Sequence, residues 1–107
     1  MPVIKLFTDE KPPAAAAAAL ASDIETLCTT VLNASSDAVQ VVLQAGAAML
    51  RGAPLLAEVH YRARADRDAA ALARFMEGLD ASCRRHLGLA PRIRCFAVDQ
   101  ATLYARN

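Results

Sequence analysis

Pro2-Val3-Ile4-Lys5-Leu6-Phe7-Thr8 opens on β-branched and aromatic residues, and Asp9-Glu10-Lys11-Pro12-Pro13 ends the run abruptly. Residues of the first kind favour a pleated strand, and a charged, proline-paired segment stops one. The six alanines Ala14 to Ala19 come next. They favour helix, and Leu20, Ile24, Leu27 and Val31 then recur on one face of a 3.6-residue period. The spacing predicts a strand over Val3–Thr8 and a helix over Ala14–Leu32.

The same order returns downstream. Asn33-Ala34-Ser35-Ser36 reads as a turn and Ala38–Gln44 as a second strand, with Val39, Val41 and Leu43 on one face. Ala45–Pro54 carries Gly46, Gly52 and Pro54 and reads as a connection or hairpin arm. Leu55–Arg62 is a third strand. Asp66 or Asp68 can cap a second helix whose core face is Leu72, Phe75, Met76, Leu79 and Cys83, and Gly88 stops it. Pro91–Val98 is a fourth strand, and the tail Asp99–Asn107 offers a further short strand or hairpin. Strand-helix-strand thus occurs twice, over about 2–45 and 54–99, in one domain spanning 1–107. Helical crossovers make the strands within each half parallel. The expectation is an α/β (α+β) fold: a duplicated β-α-β unit forming one four-stranded mixed sheet with two helices on one face.

Those helices leave the other face open. Strands one and two look apolar on both sides, and soluble monomers avoid exposing such patches. The open face is therefore expected to pack on further copies in a closed symmetric oligomer.

The whole chain narrows the function classes. Its 107 residues suit one domain, and 55% hydrophobic against 21% charged residues makes it globular rather than disordered. A net charge of +1 argues against a dedicated nucleic-acid or membrane-surface protein. Arg84-Arg85-His86 is short and lacks interleaved aromatics, and reads as favourable charge at a helix end. The longest apolar run, Pro12–Ala21, is too short to span a membrane and follows Asp9 and Glu10, where a signal peptide carries positive charge. Cytoplasm is the default location. Cys28, Cys83 and Cys95 are odd in number, show no C-x-x-C spacing, and fit reduced, buried roles. His60 and His86 form no metal spacing with them.

Chemistry concentrates on Pro2. Proline is small, so the initiator Met1 should be removed, exposing a secondary amine. Such an amine titrates near ~8. Apolar walls or neighbouring arginines lower that value, giving a base suited to proton transfer on carbon. The competing reading is a proline that merely follows Met1. Arg62 and Arg64 alternate with Ala63 and project to one side of the third strand's end. Two guanidinium forks there can hold a carboxylate and keep the amine neutral, or simply face water. Asp37 is a turn residue or a polar group near the site. Arg94 and Phe96 share a face of strand four, where an arginine would favour an anionic substrate. Lys5 and Arg51 either line an anion pocket or sit in solvent.

With these residues in place, the chain resembles the tautomerase superfamily in its double-length branch. Pro2–Thr8 is similar to the opening of those proteins. Met49–Gly52 through Ala57–Arg62 resembles the middle of the 5-carboxymethyl-2-hydroxymuconate isomerases, and order and length resemble macrophage migration inhibitory factor. Tyr61–Arg64 resembles the paired-arginine stretch of malonate semialdehyde decarboxylases, where the pair binds the substrate carboxylate or polarises its carbonyl. Asp37 matches a functional aspartate of that family. Related tautomerases place Tyr and Asn where this chain has Arg94 and Phe96, which changes the expected substrate.

The resemblance implies a homotrimer with a central barrel of sheets, Pro2 in pockets near subunit interfaces, and small 2-keto or 2-hydroxy-dienoic acids as substrates, with no metal or organic cofactor. Decarboxylation or water addition in the same pocket is the alternative chemistry. A non-catalytic ligand-binding or assembly module is the alternative to an enzyme.

Overall fold

The computed structural model describes residues 1–107. Strand β1 (Val3–Thr8) is followed by helix α1 (Ala14–Thr30), a 3-10 turn at Ser36–Ala38 and strand β2 (Gln40–Ala45). Strand β3 (Leu55–Arg62), helix α2 (Ala69–Leu87) and strand β4 (Pro91–Val98) repeat the pattern. The sheet order is β2-β1-β3-β4. β1 runs parallel to β2, β3 parallel to β4, and β1 meets β3 antiparallel at the centre.

Side-chain alternation divides the sheet into two faces. Ile4, Leu6 and Thr8 of β1, with Leu55, Ala57, Val59 and Tyr61 of β3, are buried beneath the helices. Leu20, Ile24 and Cys28 of α1 and Phe75, Leu79 and Cys83 of α2 close the core from above. Phe75 is fully buried at its centre. Truncation of such a ring to alanine costs about 3–5 kcal/mol.

The helices are placed by specific ends and contacts. Asp68 caps α2, accepting a hydrogen bond from the Ala71 amide at 2.9 Å. Gly88 ends α2 in the left-handed region at φ 66°, a conformation glycine adopts without strain. Gly78 lets the helices approach closely, since a Cβ there would lie 2.5 Å from Leu27 Cδ2. Asp23 on α1 ties the pair together: its Oδ2 accepts from Ser82 Oγ at 3.0 Å and lies 2.8 Å from His86 Nε2. His86 is thus an interhelical partner as well as a residue of the basic last turn.

Three expectations need correction. β2 starts at Gln40 rather than Ala38, because Ser36–Ala38 coils into the 3-10 turn first. Of the two readings of Ala45–Pro54, the connection holds and the hairpin arm does not: no strand lies between β2 and β3, and Gly46 and Gly52 turn the segment through positive φ. The tail adds no strand, since Asp99 closes a turn by accepting from the Thr102 amide at 3.0 Å. The open face is also more polar than strands one and two suggested. Register sets Lys5 beside Val42 and Glu58, Glu58 beside Arg94, and His60 beside Phe96. Its apolar members include Val3, Phe7, Val42, Leu56 and Phe96, of which Val42 and Phe96 are well exposed.

No helix is long and apolar enough to cross a membrane. All three cysteines are free. Burial pushes the Cys28 thiol up to about 12 and Cys83 up to about 11, and raises half-buried Cys95 as well. Thiolate is the reactive form. Iodoacetamide at pH 8 is therefore expected to label native Cys95 first, with Cys28 slower by roughly 10²-fold or more. Peptide mapping over time checks this, and equal native rates would contradict it.

The interhelical carboxylate predicts an acid-side response. Hydrogen bonds from His86, then Ser82, hold Asp23 below its usual range. A lowered carboxylate pKa stabilises the fold above the unfolded value and loses that effect as pH falls through the folded one. Asp23→Asn should lower stability near pH 7, by about 1 kcal/mol or less for this partly exposed group. Thermal scans should show the gap to wild type narrowing between pH 5 and pH 3.

Candidate active site

The amino end of β1 lies between two structural joints. The Pro2 side chain is fully buried, and its carbonyl accepts from the Gln40 amide at 3.0 Å. This bond draws the segment after the 3-10 turn against the start of the chain. On the other side, Val3 is in register with His60 of β3. The last residue of β3, Arg62, thereby reaches the chain terminus.

Two adjoining cavities open there, of about 400 and 640 Å³. Met1, Ser35, Ala38 and Arg62 line both. Ala34, Arg64, Arg67 and Gln100 complete the first, while Asp37, Gln40 and the tail residues Ala105 and Asn107 contribute to the second. The terminal amine here belongs to Met1. Its pKa is held below 8.0, first by burial, then by the positive charges of Arg62 and Arg67, with Cys28 acting in the opposite direction.

The three arginines differ in what occupies them. Arg64 spends its fork on Asp66, with Nε to Oδ1 at 3.0 Å and Nη2 to Oδ2 at 2.7 Å. Asn33 Nδ2 donates to the same Oδ2 at 3.0 Å. These bonds, Arg64's first, hold Asp66 far below the usual carboxylate range. Arg67 is 7% exposed and donates from Nε to the Leu32 carbonyl and from Nη1 to the Arg62 carbonyl, both at 2.9 Å. Arg62 has no carboxylate partner, and its Nε is buried without any hydrogen bond. Leaving a charged donor buried and unpaired costs at least ~1–3 kcal/mol, so such a group calls for an explanation.

The residues singled out in the sequence are thus divided. Pro2, Arg62, Arg64 and Asp37 gather at the amino end, with Asp37 exposed at the cavity rim. Arg64 is already neutralised by Asp66. Lys5, Arg94 and Phe96 lie on the open face and line neither cavity. Phe96 stacks on His60 with ring centroids 5.0 Å apart and an interplanar angle of 18°. Arg94 donates to the Ile93 carbonyl at 2.9 Å. Arg51 sits in the connection beside Arg92.

Arg67 escaped the sequence reading. Asp66 and Asp68 flank it, a polar context in which a charged residue is ordinarily solvated. Only its place five residues beyond Arg62, in a loop folding back on the strand end, gave a signal.

A further cavity of about 430 Å³ lies at the opposite end of the sheet, lined by Thr8, Pro12, Pro54, His86 and neighbours. It gathers no arginines.

No protein-family model matches the sequence, and no curated protein is similar enough to count as a match. Solved structures do match in shape. A fused 4-OT protein forming a symmetric trimer superposes with a TM-score of 0.80 at 18% identity, covering 98% of this chain and 92% of that one. Macrophage migration inhibitory factor from Toxoplasma gondii gives 0.70 at 20% identity, covering 92% and 89%. Malonate semialdehyde decarboxylase, described with decarboxylase and hydratase activities, gives 0.74 at 12% identity, covering 98% and 91%. The duplicated β-α-β architecture of this chain is the tautomerase/MIF-like fold.

Proposed function

We propose that this chain is a tautomerase or isomerase whose general base is the Pro2 amine, exposed by removal of Met1. The observation that carries the reading is the buried, unpartnered Arg62 Nε at the chain's amino end. Pro2 would take a proton from carbon next to a carbonyl, or from an enol hydroxyl, and return it at another carbon. Arg62 would bind the carboxylate of a small 2-keto or 2-hydroxy-dienoic acid through its free donors. Its charge, with that of Arg67, would stabilise the enolate as it develops. The same charges and the dry walls favour the unprotonated amine. No step in this chemistry calls on a metal or organic cofactor.

The working unit in this reading is a homotrimer, supported by the trimeric assembly of the fused 4-OT structures and by the partly apolar open sheet face. Lys5, Arg94 and Phe96 would then face neighbouring subunits. Three free cysteines favour a reducing, cytoplasmic setting.

A second reading keeps the pocket and changes the reaction. Asp37 lines the same cavity as Arg62, and one protein of similar fold is a decarboxylase with hydratase activity. Carbon dioxide release from malonate semialdehyde, lost in Asp37→Asn, would favour it.

Phenylenolpyruvate tautomerisation tests the first reading. Pro2→Ala should lower kcat/KM by roughly 10²–10⁴-fold. Equal rates would remove Pro2 from the mechanism, and an intact mass that retains Met1 would leave a non-catalytic binding or assembly module in its place.

The arginines should separate as their bonding does. Arg62→Ala should lower kcat/KM by roughly 10²-fold, mostly through KM. Arg64→Ala, whose fork already holds Asp66, should change it only a few-fold. Steady-state kinetics on the two variants would reveal a reversed order.

A further inference from the structure

Arg67 is a cation placed where cations are rarely found. Arginine is almost never this buried unless paired, and a buried charge without a counter-ion is costly. Yet its hydrogen bonds go to two backbone carbonyls, while the neighbouring carboxylate of Asp66 is taken by Arg64 and Asn33. Arg67 remains charged at all relevant pH.

The bonds join particular points. The Leu32 carbonyl lies just beyond the end of α1, and the Arg62 carbonyl ends β3. The Arg67 amide also donates to the Arg64 carbonyl at 3.0 Å, and the Ala63 amide to the Val98 carbonyl at 2.9 Å. The loop after β3 is thereby closed on itself, on β4 and on α1. A planar fork with several donors can bridge two carbonyls in fixed geometry, which a lysine ammonium on a flexible stem does not reproduce.

We propose that Arg67 is a positioning residue: its buried fork staples the ends of α1 and β3, fixing Arg62 and holding a permanent positive charge beside the chain's amine. This rests on the reading of Pro2 as the base, although the charge effect can be measured without catalysis.

The groups around the amine define the electrostatics. Arg62 comes from β3, Arg67 and the Arg64–Asp66 pair from the following loop, Cys28 from α1 and Asp37 from the 3-10 turn. Cys28 is neutral near pH 7, its thiol raised to about 12 by burial. Asp66 is balanced by Arg64. Removing Arg67's charge should therefore make protonation of the amine easier.

The test uses the full chain, with its terminus checked by intact mass, and ¹⁵N-proline labelling to titrate the Pro2 nitrogen by NMR. Arg67→Gln should raise the Pro2 titration midpoint by about one pH unit and move the acidic limb of kcat/KM upward equally. Arg67→Lys keeps the charge and loses the fork. It should hold the midpoint near wild type while KM rises several-fold and kcat changes less.

An unshifted midpoint in folded Arg67→Gln, with only the melting temperature lowered, would reduce Arg67 to a structural brace and overturn the proposal. Should Arg67→Gln not fold, Arg67→Lys decides: wild-type KM, kcat and midpoint together would show that the fork is dispensable. Failure of the Pro2 reading looks different, as an active Pro2→Ala enzyme alongside a Pro2 midpoint that still responds to Arg67.

Discussion

The constraint on which this molecule depends is an imbalance of charge at one end of its sheet. Arg62, Arg64 and Arg67 converge beside the chain terminus, and one carboxylate, that of Asp66, is bonded among them. Arg64 takes that carboxylate. Arg67 is satisfied by carbonyl oxygens, which carry dipoles and no net charge. Arg62 is left with a buried donor and no partner. A fold selected only for stability would replace such a set with apolar side chains at little cost or with a gain. The set is coherent if, as proposed above, an anionic ligand supplies the missing charge and the same field keeps a nearby amine neutral. In the proposed reading, the expense in stability and the capacity for proton transfer share one cause.

Most of the fold was legible because its signals are local. Period-2 alternation in Val3–Thr8 and Leu55–Arg62 and period-3.6 apolar positions in both helices depend on few distant contacts. Asp68 and Gly88 mark the ends of α2 through capping chemistry that needs little tertiary context. What failed lay where the backbone answers to a long-range partner. The residues around Ala38 look like strand, but Gln40 is the first whose amide finds β1, through the Pro2 carbonyl. The open face was misjudged for a related reason: register, not composition, places Lys5, Glu58 and Arg94 in one row across it.

The site was half legible. Arg62 and Arg64 were visible as an alternating pair at a strand end, but alternation cannot tell which of them meets a carboxylate two residues later. Arg67 was invisible because burial of a charge inside a loop reverses the usual expectation for a sequence as polar as Arg64-Ala65-Asp66-Arg67-Asp68. Lys5, Arg94 and Phe96 were correctly seen as projecting from strands. Their distance from the amino end follows from the sheet's width and register, which only pairing defines.

The repeated β-α-β pattern bears on why the proposed chemistry is placed at one end. Each half begins with a proline ahead of a central strand, Pro2 before β1 and Pro54 before β3; Pro54 lines one cavity, and Met1, the residue before Pro2, lines another of comparable size. Around Pro54 the ionisable neighbours are Asp9, Glu10, Lys11 and His86, with no arginine among them. The Pro54 nitrogen is locked in a peptide bond and has no basic lone pair; its carbonyl serves the Thr8 hydroxyl at 3.4 Å. Symmetry of the backbone thus gives two similar hollows, and covalent connectivity makes them unequal. In the proposed reading the free ring amine belongs to the first hollow, where Arg62 keeps a buried donor without a partner.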